Sequence, residues 1–389
     1  MVVSATIDGS HELDALIAAV DANDPVLVAR QLRALPDEVA AALPATWIAT
    51  TFEALERGTF DALSQGFVRG DFVAPGGRFL IVAPYAIRRA TGDISVLSLL
   101  YGDIIAHTPT QGLQAEVEMI QNAQLRQRMA PLQPMRVHAA AGNLRELAFV
   151  VPDGWGWVDS ALGSALTEIG TQRDRFEAAG KRCVRQVFDA DTADLLLTPL
   201  TSKRDGAMVH LRSYEIHDAG HAAGLGLARK VRDNVLPGYW YRGVEEWRAD
   251  GIGFESAARL LTPSDAASDL ASNLCVRFGL DVPLAEHGID GSNEHVPCSL
   301  IILDRLLREG FLAIRHGKLA LKNVSARGLS EAFEPHRYEA VDLTRRELAL
   351  GESAGIMRLY GSVGIHRATE AILEGMIRDP CRGFYDGVA

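Results

Sequence analysis

The sequence predicts a helix-dominated α+β fold, with a small sheet in the N-terminal half and a helical metal-binding C-terminal half. Short apolar runs bounded by glycine and proline, which are typical of strands, occur before residue 200. After residue 200, apolar residues recur with helical periodicity, and histidines and carboxylates recur at four-residue spacing. We therefore predict an N-terminal α+β lobe at residues 1–200 and a helical metal-binding lobe at residues 201–389.

Composition and charge limit the classes of partner. The chain has 389 residues, of which 48% are hydrophobic and 23% are charged, as in an ordinary globular protein. Its formal net charge is −11 at pH 7, whereas nucleic-acid binders carry basic surfaces, so we expect no nucleic-acid partner. No apolar run approaches the roughly 18 residues that a membrane-spanning helix needs, so we expect no membrane partner either.

The cysteines and the N-terminus indicate the compartment. The cysteines lie far apart and form no Cys-x-x-Cys pair, so neither a zinc knuckle nor a disulfide framework is indicated; they are Cys183, Cys275, Cys298 and Cys381. The first residues lack the basic segment and the apolar core of a secretory signal peptide. We predict a cytoplasmic protein whose thiols are reduced.

The N-terminal half is predicted to begin with helices and to continue with strands. Residues 9–60 are predicted as helices, and Asp24 followed by Pro25 is typical of a helix start. Arg78–Pro84 is a short apolar run after a glycine-rich turn, which indicates a buried strand.

Three further strands are predicted before the C-terminal half. Met135–Ala141 and Glu146–Pro152 are separated by Gly142 and Asn143, a pair that favours a β-hairpin. Leu195–Leu200 is the third of these strands.

Two predicted helices of the C-terminal half carry the candidate metal ligands. The first, Tyr214–Lys230, places His217 and His221 four residues apart. At 3.6 residues per turn both imidazoles project from one face, which is the spacing that two histidines need to bind one metal ion.

The second helix, Val244–Leu261, repeats this spacing with carboxylates. Glu246 can supply a third ligand, and Asp250 can accept a hydrogen bond from the far nitrogen of a ligand histidine, which fixes its tautomer. Two histidines and one carboxylate leave an open position for water, as in catalytic zinc sites. The same set also forms the facial triad of non-haem iron enzymes. We predict zinc as the cofactor, with iron(II) as the alternative.

His295 is a further candidate for a catalytic role. It ends a polar, glycine-rich stretch, residues 286–295, which is predicted as a loop between helices and is typical of active sites. Its imidazole could stabilise an oxyanion or deliver a proton, whereas the alternative is a solvated loop histidine. His336 and His366 have no partner pattern, so core or surface roles are expected for them.

The two motifs resemble those of the gluzincin metallopeptidases, which carry His-Glu-x-x-His and then Glu-x-x-x-Asp/Glu on a later helix. The second motif is closest to dipeptidyl-peptidase III, in which a Glu-Glu-x-Arg-Ala-acid run supplies the third ligand from its second glutamate. Here that run is Glu245–Asp250, and Gly220–Gly224 is similar to the Gly-His-x-x-Gly that ends that family's first motif. The resemblance implies His217, His221 and Glu246 as metal ligands, with Asp250 behind them.

Asp218 departs from the gluzincin pattern at the position of the general base. It follows the first ligand histidine, where gluzincins carry the glutamate that acts as general base. Aspartate is one methylene shorter, so its carboxylate would lie about 1 Å further from the attacking water. Three carboxylates are therefore candidates for the proton acceptor: Asp218, Glu245 and Glu215.

Three functions are compatible with these motifs. The expected one is a zinc-dependent, gluzincin-related, hydrolase-like enzyme that acts on a specialised small-molecule or peptide-like substrate. The second is a non-haem iron(II) enzyme with the same triad, which would need no general-base glutamate. The third is a catalytically inactive, metallopeptidase-like binding protein.

Overall fold

The structure is a computed structural model, which describes residues 11–87, 94–106, 109–125, 132–145, 149–150, 166–201, 205–285 and 292–386. It confirms the helix-dominated α+β fold with a small sheet in the N-terminal half. The chain forms two compact units: one comprises Met1–Thr108 and Ala130–Thr171, and the other comprises Pro109–Met129 and Gln172–Ala389. The boundary predicted at residue 200 lies inside the second unit.

The first unit opens with helices. Their bounds are α1 (His11–Asp21), α2 (Pro25–Arg33), α3 (Asp37–Ala41), α4 (Ala45–Arg57) and α5 (Asp61–Arg69). Asp24 caps α2 as the sequence predicts, because its Oδ1 accepts hydrogen bonds from the backbone N–H groups of Val26 and Leu27, each at 3.0 Å. Pro25 occupies the first helical position, where a backbone N–H has no helical partner in any case.

A five-stranded sheet follows these helices among the described residues. Its strands are β1 (Arg78–Ile87), β2 (Ile94–Ile104), β3 (Gln133–Ala141), β4 (Phe149–Val150) and β5 (Leu166–Glu168). Their spatial order is β1-β2-β3-β5-β4. β1, β2 and β3 pair antiparallel, β3 and β5 are parallel, and β5 and β4 are antiparallel.

The predicted hairpin around Gly142 and Asn143 is wrong, because β5 lies between β3 and β4 in the sheet. Gly142–Leu144 instead forms a short 3₁₀ helix after β3. Of the predicted strand Glu146–Pro152, only the two residues of β4 are described.

Both faces of the sheet are covered by apolar side chains, which explains the continuous apolar run of β1. Leu80 and Val82 point into a buried cluster with residues of α1 and α2, whereas Phe79 and Ile81 point into a second cluster with residues of α4 and α5. Trp47 of α4 donates its Nε1–H to the carbonyl oxygen of Leu80 at 2.7 Å.

The rest of the described chain is almost entirely helical. Its helices are α6 (Leu113–Gln121), α7 (Ile169–Arg175), α8 (Lys181–Val187), α9 (Ala190–Leu197), α10 (Asp205–Ala222), α11 (Leu227–Arg232), α12 (Tyr239–Leu260), α13 (Pro263–Val276), α14 (Val282–Ala285), α15 (Ser292–Arg308), α16 (Ala326–Leu350), α17 (Ser353–Gly361), α18 (Arg367–Leu373) and α19 (Asp379–Cys381). Two short strands, β6 (Leu312–Arg315) and β7 (Lys318–Leu321), pair antiparallel. All four cysteines are buried free thiols. None of the described helices is both long and apolar enough to cross a membrane.

Helix α12 is the centre of the second unit. It packs against α10, α13, α15 and α16, and all of Gly243–Ala257 is buried. A helix that is buried on all sides is normally apolar. α12 nevertheless carries Glu245, Glu246, Arg248 and Asp250 in this buried stretch, so each of these charges needs a partner from a neighbouring element.

Two sequence-based assignments in this region need correction. α10 ends at Ala222 rather than Lys230, because Gly224 adopts a φ of +70°, which interrupts the helix before α11. Leu195–Leu200, predicted as a strand, forms the end of α9 and a 3₁₀ turn. The second helix of the candidate metal motif, predicted at Val244–Leu261, is confirmed as α12, which begins earlier, at Tyr239, and ends at Leu260.

His336 lies in the core of the second unit. Its ring stacks on Trp247, with 4.8 Å between the ring centroids, and its Nε2–H donates to the carbonyl oxygen of Trp247 at 2.7 Å. Burial lowers the pKa of His336 to about 4, because the interior disfavours the imidazolium form. The folded protein therefore holds this histidine in its neutral form.

We predict that His336 makes the stability of the protein sensitive to acid. Its folded pKa lies below its usual value, so its stabilisation is fully present above about pH 6.5 and is lost as the pH falls towards 4, by roughly 1.4 kcal/mol per pH unit. His336→Phe should lose less stability than the wild type in urea unfolding between about pH 7 and 4.5. His11→Phe, at an exposed histidine, is the control. Parallel losses in wild type and His336→Phe would contradict this account.

Candidate metal centre

Helices α10 and α12 approach each other closely where they carry the motif residues. A Cβ atom at Gly220 of α10 would lie 2.2 Å from the carbonyl oxygen of Ala249 in α12. A Cβ atom at Gly253 of α12 would lie 2.8 Å from the carbonyl oxygen of Ile216 in α10. Since both positions leave no room for a side chain, these glycines permit the short separation between the two motifs.

Three side chains from these helices converge on one point. His217 and His221 of α10 and Glu246 of α12 each place one ligand atom within 4.8 Å of the others. Nε2 of His217 lies 3.1 Å from Nε2 of His221 and 3.1 Å from Oε2 of Glu246. Nε2 of His221 lies 3.4 Å from Oε1 of Glu246. The structure thus brings together the three residues that the sequence predicts as ligands.

Carboxylates bind the far nitrogens of both histidines. Nδ1 of His217 lies 2.7 Å from Oδ1 of Asp250, and Nδ1 of His221 lies 3.1 Å from Oε1 of Glu245. Because an ionised carboxylate only accepts hydrogen bonds, each neutral imidazole carries its hydrogen on Nδ1 and presents the lone pair of Nε2. Asp250 and Glu245 therefore direct both lone pairs towards the point where Glu246 lies.

This arrangement fits a metal ion. Oε2 of Glu246 is buried and takes part in no hydrogen bond. Two ligand atoms at about 2.1 Å from a tetrahedral zinc ion lie roughly 3.4 Å apart, which is close to the three separations between the ligand atoms of His217, His221 and Glu246. A cation at this point would satisfy both Nε2 lone pairs and the orphaned Glu246 oxygen.

The electrostatics of the group also favour a positive charge. Burial alone would lower the pKa of His217, but Asp250 and Glu246 raise it to about 10. Burial likewise opposes ionisation of Glu246, yet the neighbouring histidines, His221 first among them, hold its pKa well below the usual range. Protons and a metal ion would therefore compete for the same nitrogens.

Asp250 is itself held by buried donors. Arg277 donates Nε–H to Oδ2 and an Nη2 hydrogen to Oδ1, both at 3.0 Å, and the Asn273 amide donates to Oδ1 at 2.9 Å. Burial opposes the charge on Asp250, but Arg277 and His217 hold its pKa well below the usual range. The carboxylate behind His217 is thus fixed in place and ionised.

Glu245, a candidate proton acceptor, is buried behind His221 with 1% of its side chain exposed. Lys230, Arg248 and Tyr360 all donate hydrogen bonds to its carboxylate. This environment suits a residue that orients a histidine. Arg248 belongs to the sequence motif, but no spacing pattern in the sequence indicates Lys230 or Tyr360.

Asp218 and Glu215 lie on α10 with the two histidines but have different surroundings. Asp218 directly follows His217 and is partly buried, and burial raises the pKa of its carboxyl group. Glu215 accepts hydrogen bonds from the backbone N–H of Thr110 at 3.0 Å and from its hydroxyl at 2.7 Å. Glu215 therefore fixes the segment that precedes α6.

His295 lies on a helix and not on the loop expected for it. It is in the first turn of α15, and residues 286–291 of the predicted loop lie outside the described residues. Its Nδ1 accepts a hydrogen bond from Arg277 and lies 3.4 Å from Oε2 of Glu246. Burial lowers the pKa of His295. The structure thus places this histidine beside Glu246, one of the three candidate ligands.

The chain has a dipeptidyl-peptidase III-like fold. It matches the dipeptidyl-peptidase III from Caldithrix abyssi with a TM-score of 0.61 and 11% sequence identity, over 96% of this chain and 71% of that protein. It matches the dipeptidyl-peptidase III from Corallococcus sp. strain EGB with a TM-score of 0.58 and 14% identity, over 92% of this chain and 66% of that protein.

The chain belongs to DUF6014, a family of unknown function, which matches residues 2–275. The matched segment includes both candidate metal-binding motifs, His217–His221 and Glu245–Asp250. No curated protein sequence matches the chain.

We predict that His217→Ala, His221→Ala and Glu246→Ala each abolish stoichiometric metal binding, because two remaining ligands hold an ion only weakly. Asp250→Ala should weaken the affinity about 10–100-fold, because His217 loses the group that orients it. Elemental analysis and chelator competition measure the two effects. His366→Ala, at a histidine whose side chain is 65% exposed, should keep wild-type occupancy. Full occupancy in all three ligand variants would refute the ligand assignment.

Proposed function

We propose that the chain is a metal-dependent enzyme. The metal we propose is zinc, and the enzyme is hydrolase-like and acts on a specialised small-molecule or peptide-like substrate. The convergence of His217, His221 and Glu246 at separations of 3.1 to 3.4 Å carries this proposal. A zinc ion held by these residues would polarise a substrate carbonyl group and lower the pKa of a bound water. The likeness in fold to two dipeptidyl-peptidases supports an amide-like bond as the target.

The neighbouring residues divide the remaining tasks within this proposal. Asp250 and Glu245 orient the histidines. Asp218 accepts a proton from the attacking water, through a second water because its side chain is one methylene short. Arg277 occupies Nδ1 of His295, so the hydrogen of the neutral ring lies on Nε2 and can be donated to a substrate oxygen.

We also propose that the protein has no nucleic-acid partner and lies in a reducing compartment. The net charge of −11 supports a protein that does not bind nucleic acid. The four dispersed cysteines, all buried free thiols, support a reducing compartment, and we therefore propose a cytoplasmic location.

The metal content of protein purified without added metal tests the proposed function. Stoichiometric zinc supports a zinc-dependent enzyme. Stoichiometric iron would favour the non-haem iron(II) alternative, which uses the same three ligands. Protein that contains neither metal and takes up neither on dialysis would refute both, and would favour a binding protein on this fold.

We predict that Asp218→Glu raises the hydrolysis of small peptides and peptide anilides, because the added methylene brings the carboxylate about 1 Å closer to the attacking water. Asp218→Asn keeps the size of the side chain but removes the base, and it should lower kcat/KM about 10²–10⁴-fold. Metal content measured on the same samples separates loss of the base from loss of the ion. Strong wild-type peptidase activity that survives Asp218→Ala would assign proton transfer to another residue.

A further inference from the structure

A group of buried charges lies behind His221, and Glu245 is the one member to which the proposed function gives a role. The group comprises Lys230 of α11, Glu245 and Arg248 of α12, Glu347 of α16 and Tyr360 of α17, and we name it the Lys230 cluster. Each of the four charged side chains is at most 1% exposed, and Tyr360 is fully buried. Stability alone does not explain such a group, because a protein with apolar side chains of similar volume in place of buried ion pairs is often equally stable.

Lys230 lies at the centre of this cluster. Its Nζ lies 2.7 Å from Oε2 of Glu245, 2.9 Å from Oε2 of Glu347 and 2.9 Å from the hydroxyl oxygen of Tyr360. An ammonium group has three N–H donors, so each donor has one acceptor. Lys230 therefore joins two carboxylates that would otherwise repel each other.

The formal charges of the cluster cancel. Lys230 and Arg248 are cations, whereas Glu245 and Glu347 are anions. Arg248 donates to Oε1 of Glu245 at 2.6 Å and to Oε2 at 3.0 Å. Removal of one charged member would leave an uncompensated charge in the interior, which is strongly unfavourable, so the remaining groups would rearrange.

The cluster reaches the candidate metal centre at two points. Oε1 of Glu245 lies 3.1 Å from Nδ1 of His221. Oε1 of Glu347 accepts a hydrogen bond from the backbone N–H of Leu225 at 2.7 Å, which fixes the turn after α10. The cluster therefore holds both the imidazole of His221 and the end of the helix that carries it.

We propose that Lys230 is a positioning residue for the metal site, which keeps the Glu245 carboxylate directed at His221 by balancing the charges of Glu245 and Glu347. The inference rests on the proposed metal centre, but Lys230 contacts none of the three proposed ligands directly. A purely structural Lys230 would affect unfolding without changing zinc affinity. A positioning Lys230 changes zinc affinity, and a second substitution that restores the charge balance rescues it.

A double-mutant cycle on the full-length chain tests this role. Zinc affinity is measured by competition with a chromophoric chelator, and the absorption spectrum of the cobalt(II)-substituted protein reports the ligand geometry. Lys230→Met and Glu347→Gln should each weaken zinc binding about 10–100-fold, as the loss of outer contacts to a metal site does. The double variant, in which the charges cancel again, should return to within roughly threefold of the wild type.

Lys181→Met is the control for loss of a lysine–glutamate pair, because Lys181, the first residue of α8, pairs at 2.7 Å with Glu177, which precedes that helix. It should leave zinc affinity unchanged. The proposal fails if Lys230→Met binds zinc as tightly as the wild type, or if the double variant binds as weakly as the weaker single variant.

If Lys230→Met does not fold, the role of Lys230 can still be tested. The comparison then runs between Glu347→Gln and the double variant. Tighter zinc binding by the double variant supports the proposal, and equal or weaker binding refutes it. A wild-type chain that binds no zinc would refute the metal centre itself and this inference with it, so the two failures are distinguishable.

Discussion

Burial of carboxylates on one central helix is the constraint on which the second unit depends. Glu245, Glu246 and Asp250 lie in the buried stretch of α12, where an unpaired charge is costly. Permanent cations from the same or neighbouring elements compensate two of them, namely Arg277 for Asp250 and Lys230 with Arg248 for Glu245. Glu246 faces mainly imidazoles, whose positive charge can be given up. The candidate ion site therefore lies beside the carboxylate with the least permanent compensation.

The candidate ligands could be predicted from the sequence because their geometry is local. His217 and His221 lie one helical turn apart, as do Glu246 and Asp250, and helical periodicity alone places each pair on one face. The close approach of α10 and α12, in contrast, depends on residues that are distant in the sequence. Gly220 and Gly253 are its traces in the sequence, and their meaning becomes clear only from the carbonyl oxygens that would clash with side chains there.

The remaining features depend on contacts that no local pattern records. Lys230 and Tyr360 lie 15 and 115 residues from Glu245, so the sequence gives no reason to connect them with it. The predicted hairpin fails in the same way, because β5 comes from later in the chain and separates β4 from β3. α10 ends early because one glycine, Gly224, adopts a positive φ, whereas the apolar and polar pattern continues past it.

The distance along the chain between Glu245 and its partners has a consequence for protein synthesis. Chains begin to fold from the N-terminus while translation continues. The three candidate ligands leave the ribosome before Glu347 and Tyr360, and Tyr360 follows Glu245 by 115 residues. In such a nascent chain the carboxylate behind His221 lacks part of the group that holds it. Stable capture of an ion would thus be a late event in biogenesis.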